Sequence, residues 1–165
     1  MVAGDSGGGG LATSLISYLH NKDMPRPAAL ALFSPEIDLD LDNASVTENA
    51  KYDILPWSIP VTPYLHGVQP NDVRVSIVYA DPSPDWFPPT FVCWGEDEMF
   101  RDGIREFVGK LEANGVPVYG MEGRGMFHVF PILMPWAEAS KDVLRSLRER
   151  IARNIAADPE AKPTH

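Results

Sequence analysis

The chain has 165 residues, a single cysteine and a formal net charge of −9 at pH 7. This length allows one domain with its own core, while the negative charge disfavours nucleic acid as a partner. Because Cys93 is the single cysteine, an internal disulfide and a cysteine-ligated metal cluster are excluded. The sequence contains neither a signal-peptide pattern nor an apolar span of about 18 residues, so it predicts no membrane-crossing segment.

The first ten residues predict a short strand, a sharp glycine turn and the start of a helix. Gly4-Asp5-Ser6-Gly7-Gly8 matches the pattern G-x-S-x-G, in which a serine lies on a strained turn and exposes its hydroxyl. The N–H of Gly7 would then lie near the positive end of the helix, where an oxyanion could form. The alternative is a glycine-rich loop without catalytic function. A phosphate-binding loop is excluded because no Gly-Lys-Ser/Thr follows the glycines.

The rest of the chain alternates between apolar runs and amphipathic segments. Helices are predicted at about residues 8–22, 104–111 and 135–154, and strands at 28–34, 89–94 and 116–121. Prolines in the irregular stretch 44–88 permit at most short helices. The acidic loop at Asp38, Asp40 and Asp42 lacks the Gly and closing Glu of a calcium loop, so we expect it to be solvated. This order predicts an α/β fold with about four parallel strands and flanking helices.

Three candidate catalytic groups follow strands of this predicted sheet. Ser6 follows the first strand, Asp97 and Glu98 follow the third, and His128 follows the fourth. Active sites of parallel sheets lie at the carboxyl ends of the strands, and α/β-hydrolases place serine, acid and histidine in this chain order. The other histidines are poorer candidates from their positions. The alternative for His128 is a loop histidine whose hydrogen bonds are satisfied by the backbone.

Several blocks resemble those of the hormone-sensitive-lipase-like esterases, an α/β-hydrolase family. Gly4–Gly9 resembles the family's GDSAGG block, with Gly7 in place of alanine, and Ser34–Leu39 resembles its Ser-Pro-x-x-Asp-Leu segment. Further similarity lies at residues 49–53, 64–67 and 122–130. The resemblance implies that Ser6 is the nucleophile and His128 the base. It implies no metal or organic cofactor, and small-molecule or lipid-like esters with short acyl or acetyl groups as substrates.

The family's acid motif favours Glu98 over Asp97. That motif is Asp or Glu, any residue, Leu, any residue, Asp. With Asp102 as the final residue, the resemblance places the acid at Glu98 and Phe100 at the leucine position. Asp97 would need a shift of one residue and remains the alternative acid.

The resemblance covers about residues 1–150 and only the C-terminal half of the family's fold. It implies that residues 1–155 are half of a catalytic domain. From their own sequence, residues 156–165 are expected to form a flexible tail. The family's His-Gly-Gly-Gly oxyanion loop has no counterpart here, so we expect a truncated form whose first strand is an exposed edge open to self-association. The alternatives are an inactive fragment or a ligand-binding member, as in the gibberellin receptors, which resemble this family but lack the histidine.

Overall fold

The computed structural model describes residues 1–56 and 58–157. The chain divides into two compact units, Met1–Phe130 and Pro131–His165. The four strands found among the described residues belong to the first unit, and the long helix α6 (Glu138–Ala157) belongs to the second. Of the predicted tail, residues 158–165 lie outside the described part of the chain.

The sheet of the first unit contains four parallel strands, as the sequence predicts. The strands are β1 (Val2–Asp5), β2 (Leu30–Phe33), β3 (Thr90–Gly95) and β4 (Val118–Gly123), and they lie side by side in chain order. Among the described strands, β1 pairs only with β2 and is therefore at an edge. The carboxyl ends of β1, β3 and β4 consequently lie at the same end of the sheet, where the three candidate groups follow them.

The helices agree with the predicted pattern, with boundaries displaced by a few residues. The long ones are α1 (Gly7–Asn21), α4 (Arg101–Ala113) and α6 (Glu138–Ala157). The short ones are α2 (Ala44–Glu48), α3 (Thr62–Leu65) and α5 (Phe130–Leu133), and Ile77–Tyr79 forms a 3₁₀ turn. In the described part of the segment between β2 and β3, the helical elements are α2, α3 and the 3₁₀ turn, all short because the prolines of this segment interrupt helical hydrogen bonding.

The hydrophobic core of the first unit lies around β2 and β3. Every residue of β3 is buried, as expected for a strand covered on both faces of a parallel sheet. The apolar face of α4 is buried as well: Ile104, Phe107, Val108 and Leu111. Cys93 is a buried free thiol within this core, where it packs as a small apolar residue.

The prediction of a solvated acidic loop is wrong for Asp38. This side chain is buried, and its carboxylate accepts hydrogen bonds from Asn43 Nδ2 at 2.6 Å and from the Tyr79 hydroxyl at 3.3 Å. Burial raises the pKa of Asp38. The carboxylate therefore joins the segment after β2 to the 3₁₀ turn, a contact that the alternating acidic residues do not reveal.

Candidate active site

Ser6 lies in a strained turn between β1 and α1. Its backbone has φ 51° and ψ −129°, a conformation that non-glycine residues rarely adopt. The turn is tight because Gly4 lies against the first turn of α1: a Cβ at Gly4 would be 2.2 Å from the Gly8 carbonyl oxygen. The Ser6 N–H donates to the Phe33 carbonyl at 3.0 Å, and the Ser6 carbonyl accepts from the N–H of Glu36 at 2.9 Å. Backbone bonds to the neighbouring strand β2 and to the segment after it thus hold the serine in its strained conformation.

The structure brings Ser6 and His128 together across 122 residues of sequence. The distance between Ser6 Oγ and His128 Nε2 is 2.9 Å, within hydrogen-bond range. His128 is 2 % exposed, and its ring packs edge-on against Phe100 with centroids 5.1 Å apart. Burial lowers the pKa of His128, partly opposed by the carboxylates of Asp53 and Asp5. The neutral imidazole is therefore favoured, and this is the form that can accept a proton from the hydroxyl.

Glu98 lies on the other side of the imidazole and is completely buried. Its Oε2 accepts hydrogen bonds from the Ser34 hydroxyl at 2.6 Å and from the Gly95 N–H at 2.7 Å. Its Oε1 lies 4.0 Å from His128 Nδ1, beyond hydrogen-bond distance, and neither atom has another partner among the described residues. Burial raises the pKa of Glu98 to about 8. A movement of roughly 1 Å would bring these two atoms into hydrogen-bond range.

Asp97, the alternative acid, occupies a different place. Its main-chain N–H donates to the Met126 carbonyl at 2.9 Å, and its half-buried side chain makes no hydrogen bond within the described part of the chain. The structure therefore places Glu98, and not Asp97, beside the second nitrogen of His128. His20, which lies on α1, stacks on Trp86 with ring centroids 4.7 Å apart.

Three polar residues that sequence reasoning did not single out hold the site together. Ser34 donates to Glu98 and accepts from the Val129 N–H at 2.9 Å. Asn49 donates to the main-chain carbonyl of Glu98 at 3.0 Å. Asp53 accepts from the main-chain N–H of His128 at 3.0 Å. The three residues lie in blocks that carried the family resemblance, but neither periodicity nor spacing indicated what they contact.

Backbone strain is concentrated around these groups. Ser6, Ser34 and Val129 have φ values of 51°, 46° and 50°. For Val129 this conformation is unusual because its β-branched side chain crowds the backbone. Val129 directly follows His128, and its N–H reaches Ser34. Such strain persists only where surrounding contacts over-determine the backbone, and it is typical of functional sites.

A cavity of about 320 Å³ opens beside Gly7 at the start of α1. Its wall is largely apolar, with Leu11, Leu39 and Tyr64 among the lining residues, and Glu36 contributes a carboxylate. A Cβ at Gly7 would lie 3.4 Å from Glu36 Oε2, and burial raises the pKa of Glu36. The cavity adjoins the start of α1, where the N–H groups of Gly9 and Gly10 donate to the Ser6 carbonyl at 2.9 and 3.2 Å. The N–H groups of Gly7 and Gly8 precede these hydrogen bonds, and the N-terminus of a helix favours an anionic oxygen at such groups.

Within the described residues, no three or more His, Cys, Asp or Glu side chains are grouped to hold a metal ion. None of the described helices is long and apolar enough to cross a membrane.

The chain is similar in sequence to a known family and to two hydrolytic enzymes. A family model described as the α/β hydrolase fold matches residues 1–132. An esterase of Acinetobacter venetianus is 32% identical over 154 residues, which are 90% of this chain and 50% of the relative. An acetyl-hydrolase of Streptomyces hygroscopicus is 32% identical over 133 residues, 78% of this chain and 44% of the relative.

The fold of the chain is also similar to solved structures of hormone-sensitive-lipase proteins. A hormone-sensitive-lipase homologue, EstE7, from a metagenome library matches with a TM-score of 0.85 and 29% identity, over 93% of this chain and 52% of that one. A second hormone-sensitive lipase from a metagenome library matches with a TM-score of 0.82 and 29% identity. The chain thus spans about half the length of the relatives and structures that it matches.

Proposed function

From the premise that this chain belongs to the α/β-hydrolase family, we propose that it carries the nucleophile, base and acid of a serine carboxylester hydrolase. Ser6 is the nucleophile, His128 the general base and Glu98 the acid. The observation that carries the proposal is the 2.9 Å contact between Ser6 Oγ and His128 Nε2, made by a serine in a strained turn.

The proposed reaction proceeds by acyl transfer. His128 Nε2 takes the proton of Ser6 while Oγ attacks the ester carbonyl carbon, and the N–H of Gly7 donates a hydrogen bond to the resulting oxyanion. The imidazolium then protonates the leaving alcohol oxygen, and the C–O bond breaks to leave an acyl-serine. Water, deprotonated by His128, attacks the acyl carbon, and the carboxylic acid leaves as Ser6 regains its proton.

Glu98 acts on the charged form of the histidine in this scheme. When His128 takes a proton it becomes an imidazolium, whose Nδ1–H faces Glu98 Oε1. Closing the 4.0 Å gap to a hydrogen bond would stabilise both the imidazolium and the ionised carboxylate. The second oxygen of Glu98 is already held by Ser34 and Gly95, so the carboxyl group is oriented before the reaction begins.

The proposed substrates are esters of short acyl or acetyl groups with small or lipid-like alcohols. Two relatives support this class through their names, an esterase and an acetyl-hydrolase. The largely apolar cavity beside Gly7 also supports it, because an acyl chain or an alcohol group of modest size would fit a space of about 320 Å³.

Covalent labelling tests the nucleophile separately from turnover. The chain is incubated with a fluorophosphonate probe, the modified residue is identified by mass spectrometry, and hydrolysis of p-nitrophenyl acetate is measured in parallel. We expect labelling at Ser6 and its loss in Ser6→Ala, while Ser14→Ala, on the helix α1 that follows Ser6, retains both labelling and turnover. A folded chain that hydrolyses nothing and leaves Ser6 unlabelled would contradict the proposal, and ligand binding without turnover would favour the receptor-like alternative.

We also propose that the 165-residue chain expressed alone self-associates through the edge strand β1. Within the described sheet β1 pairs on one side only, and the apolar side chains of Leu11, Leu15 and Tyr18 on the following helix are exposed. An unpaired edge beside apolar surface favours pairing with a second copy. Light scattering should give a mass above that of the monomer, reduced by Leu11→Glu with Leu15→Glu. A monodisperse monomer would contradict this part of the proposal.

A further inference from the structure

The carboxylate of Asp53 lies between the two loops that carry Glu98 and His128. We infer that Asp53 is a positioning residue, which sets the separation of these two groups and the charge felt by the imidazole. The inference rests on the proposed function of the site. Asp53 itself touches main-chain groups rather than the reacting atoms.

The two oxygens of Asp53 are divided between the loops. Oδ2 accepts a hydrogen bond from the N–H of Met99, the residue after Glu98, at 2.7 Å. Oδ1 accepts from the N–H of His128 at 3.0 Å and from the N–H of Ile54 at 2.8 Å. Bonds from N–H groups to an ionised carboxylate are among the stronger hydrogen bonds in proteins. One side chain therefore ties the backbone beside the acid to the backbone of the base.

The segment that presents Asp53 is itself anchored. The Asp53 N–H donates to the Asn49 carbonyl at 3.0 Å, so residues 49–53 form one closed turn. From this turn Asn49 donates to the carbonyls of Glu96 and Glu98, at 3.2 and 3.0 Å. The acid loop is thus held at its carbonyl groups by Asn49 and at an N–H group by Asp53. A displacement of this turn would move the acid relative to the histidine.

The positions of Glu98 and His128 matter because the hydrogen bond between them is not formed in this structure. Glu98 Oε1 and His128 Nδ1 are 4.0 Å apart, and an error of about 1 Å in such a site costs on the order of 10²-fold in rate. Ser34 also bridges the loops, from Glu98 to the N–H of Val129, but its hydroxyl carries no charge. The negative charge of Asp53 raises the pKa of His128, and Asp5 acts in the same direction. Asp53 therefore also stabilises the imidazolium that the reaction forms.

Asp53→Asn separates positioning from general stability. The amide has one acceptor oxygen, so it can serve only one of the two loops, and it has no charge. Asp72→Asn is the matched control, because Asp72 also accepts a main-chain N–H, from Arg74 at 2.9 Å, but belongs to a loop outside the site. Both variants are made in the full 165-residue chain. The pKa of His128 is measured by NMR, amide exchange is measured at Met99 and His128, and kcat and KM are measured for p-nitrophenyl acetate.

We expect Asp53→Asn to lower the pKa of His128 and to move the acidic limb of the kcat/KM profile to lower pH. It should also speed amide exchange at Met99 and His128 and lower kcat by about 10- to 100-fold, with KM changed by less than about twofold. Asp72→Asn should change none of these. An unchanged pKa of His128 together with an unchanged kcat in Asp53→Asn would overturn the inference.

Two further outcomes keep the inference distinct from the proposed function. If the parent chain hydrolyses no ester, the proposed function fails, while a lowered pKa of His128 and faster exchange in Asp53→Asn still support the positioning role. If Asp53→Asn does not fold, Asp53→Glu replaces it. Its longer carboxylate keeps the charge but displaces the loops, so kcat should fall while the pKa of His128 stays the same. An unchanged kcat in Asp53→Glu would then overturn the inference.

Discussion

The two halves of the site are built in different ways. The turn that carries Ser6 is built from main-chain contacts: glycines on both sides of the serine let β1 and α1 approach, and main-chain hydrogen bonds to Phe33 and Glu36 hold the strained backbone. The loops that carry Glu98 and His128 depend on side chains from elsewhere. Ser34 and Asp53 reach them from positions 64 and 75 residues away in the sequence.

Because the two halves are built differently, substitutions in them should have different effects, one on folding and the other on activity. Changes in the turn act through steric overlap and should affect folding, because a clash of backbone atoms cannot be relieved by a side-chain movement. Changes around the loops act through polar contacts and should affect kcat and pH dependence more than folding. The following predictions test this distinction, beginning with the largest expected effect.

Glu98→Gln should lower kcat by about 10³- to 10⁴-fold while the chain remains folded. The glutamine keeps the shape of the side chain but cannot stabilise the imidazolium with a negative charge. Asp97→Asn is the control, since the Asp97 side chain has no hydrogen-bond partner in the described chain. Single-turnover and steady-state kinetics on the two variants decide the assignment. The reverse result, with Asp97→Asn the damaging change, would show that the acid lies one residue earlier.

Gly4→Ala should destabilise the fold by about 3 kcal/mol or more. The added Cβ would lie 2.2 Å from the Gly8 carbonyl oxygen, so β1 and α1 would have to separate. Gly8→Ala is the matched control, because nothing lies within 4 Å of its Cβ, and it should be neutral or stabilising. Urea denaturation of both variants measures the difference. Equal stability of the two would mean that the turn does not depend on this close approach.

The buried carboxyl of Glu98 should make stability depend on pH. Its pKa is about 4.5 when exposed and about 8 in the fold, so its contribution is fully present below pH 4.5 and is lost as the pH rises through about 8. Relative to Glu98→Gln, the free energy of unfolding of the parent chain should therefore fall across this window. Denaturant titrations on both sides of the window measure it. A difference that is constant or rises with pH would contradict the raised pKa.

Ser34→Ala should lower kcat by about tenfold, with a smaller effect on folding than on rate. The change removes a donor to Glu98 and leaves the N–H of Val129 without its acceptor. Because the Ser34 hydrogen bond lowers the pKa of Glu98, the variant should also need a higher pH to ionise this carboxyl. Ser76→Ala is the control, since Ser76 is a buried serine that also bridges two loops, at Leu39 and Pro70. A similar loss of kcat in both variants would point to general destabilisation.

Gly7→Ala should have the smallest effect. A Cβ at Gly7 would lie 3.4 Å from Glu36 Oε2, which is ordinary van der Waals contact, and the N–H proposed to bind the oxyanion remains. Alanine is the better helix former, so a gain of up to about 1 kcal/mol in stability is expected with kcat nearly unchanged. Thermal unfolding and steady-state kinetics test both parts. A large loss of kcat would indicate that Glu36 and the oxyanion site tolerate no added volume.

The sequence by itself determined the features that depend on near neighbours. The glycine pattern around Ser6 predicted the turn, because only small residues permit that backbone, and the alternation of apolar runs with amphipathic segments predicted the parallel sheet. The chain order of Ser6, Glu98 and His128 then placed all three at one end of the sheet, since parallel strands align their carboxyl ends. Resemblance to a known motif favoured Glu98 over Asp97, and the structure places Glu98 beside the imidazole.

Only the tertiary structure decided which polar residues join the loops. Asp53, Asn49 and Ser34 lie in segments without periodicity, and their partners are main-chain or carboxyl groups 46 to 95 residues away. Asp38 likewise has one distant partner, the hydroxyl of Tyr79, which lies 41 residues away. A hydrogen bond between distant loops depends on the path of the whole chain. Local composition cannot distinguish a carboxylate that meets such a partner from one that meets water.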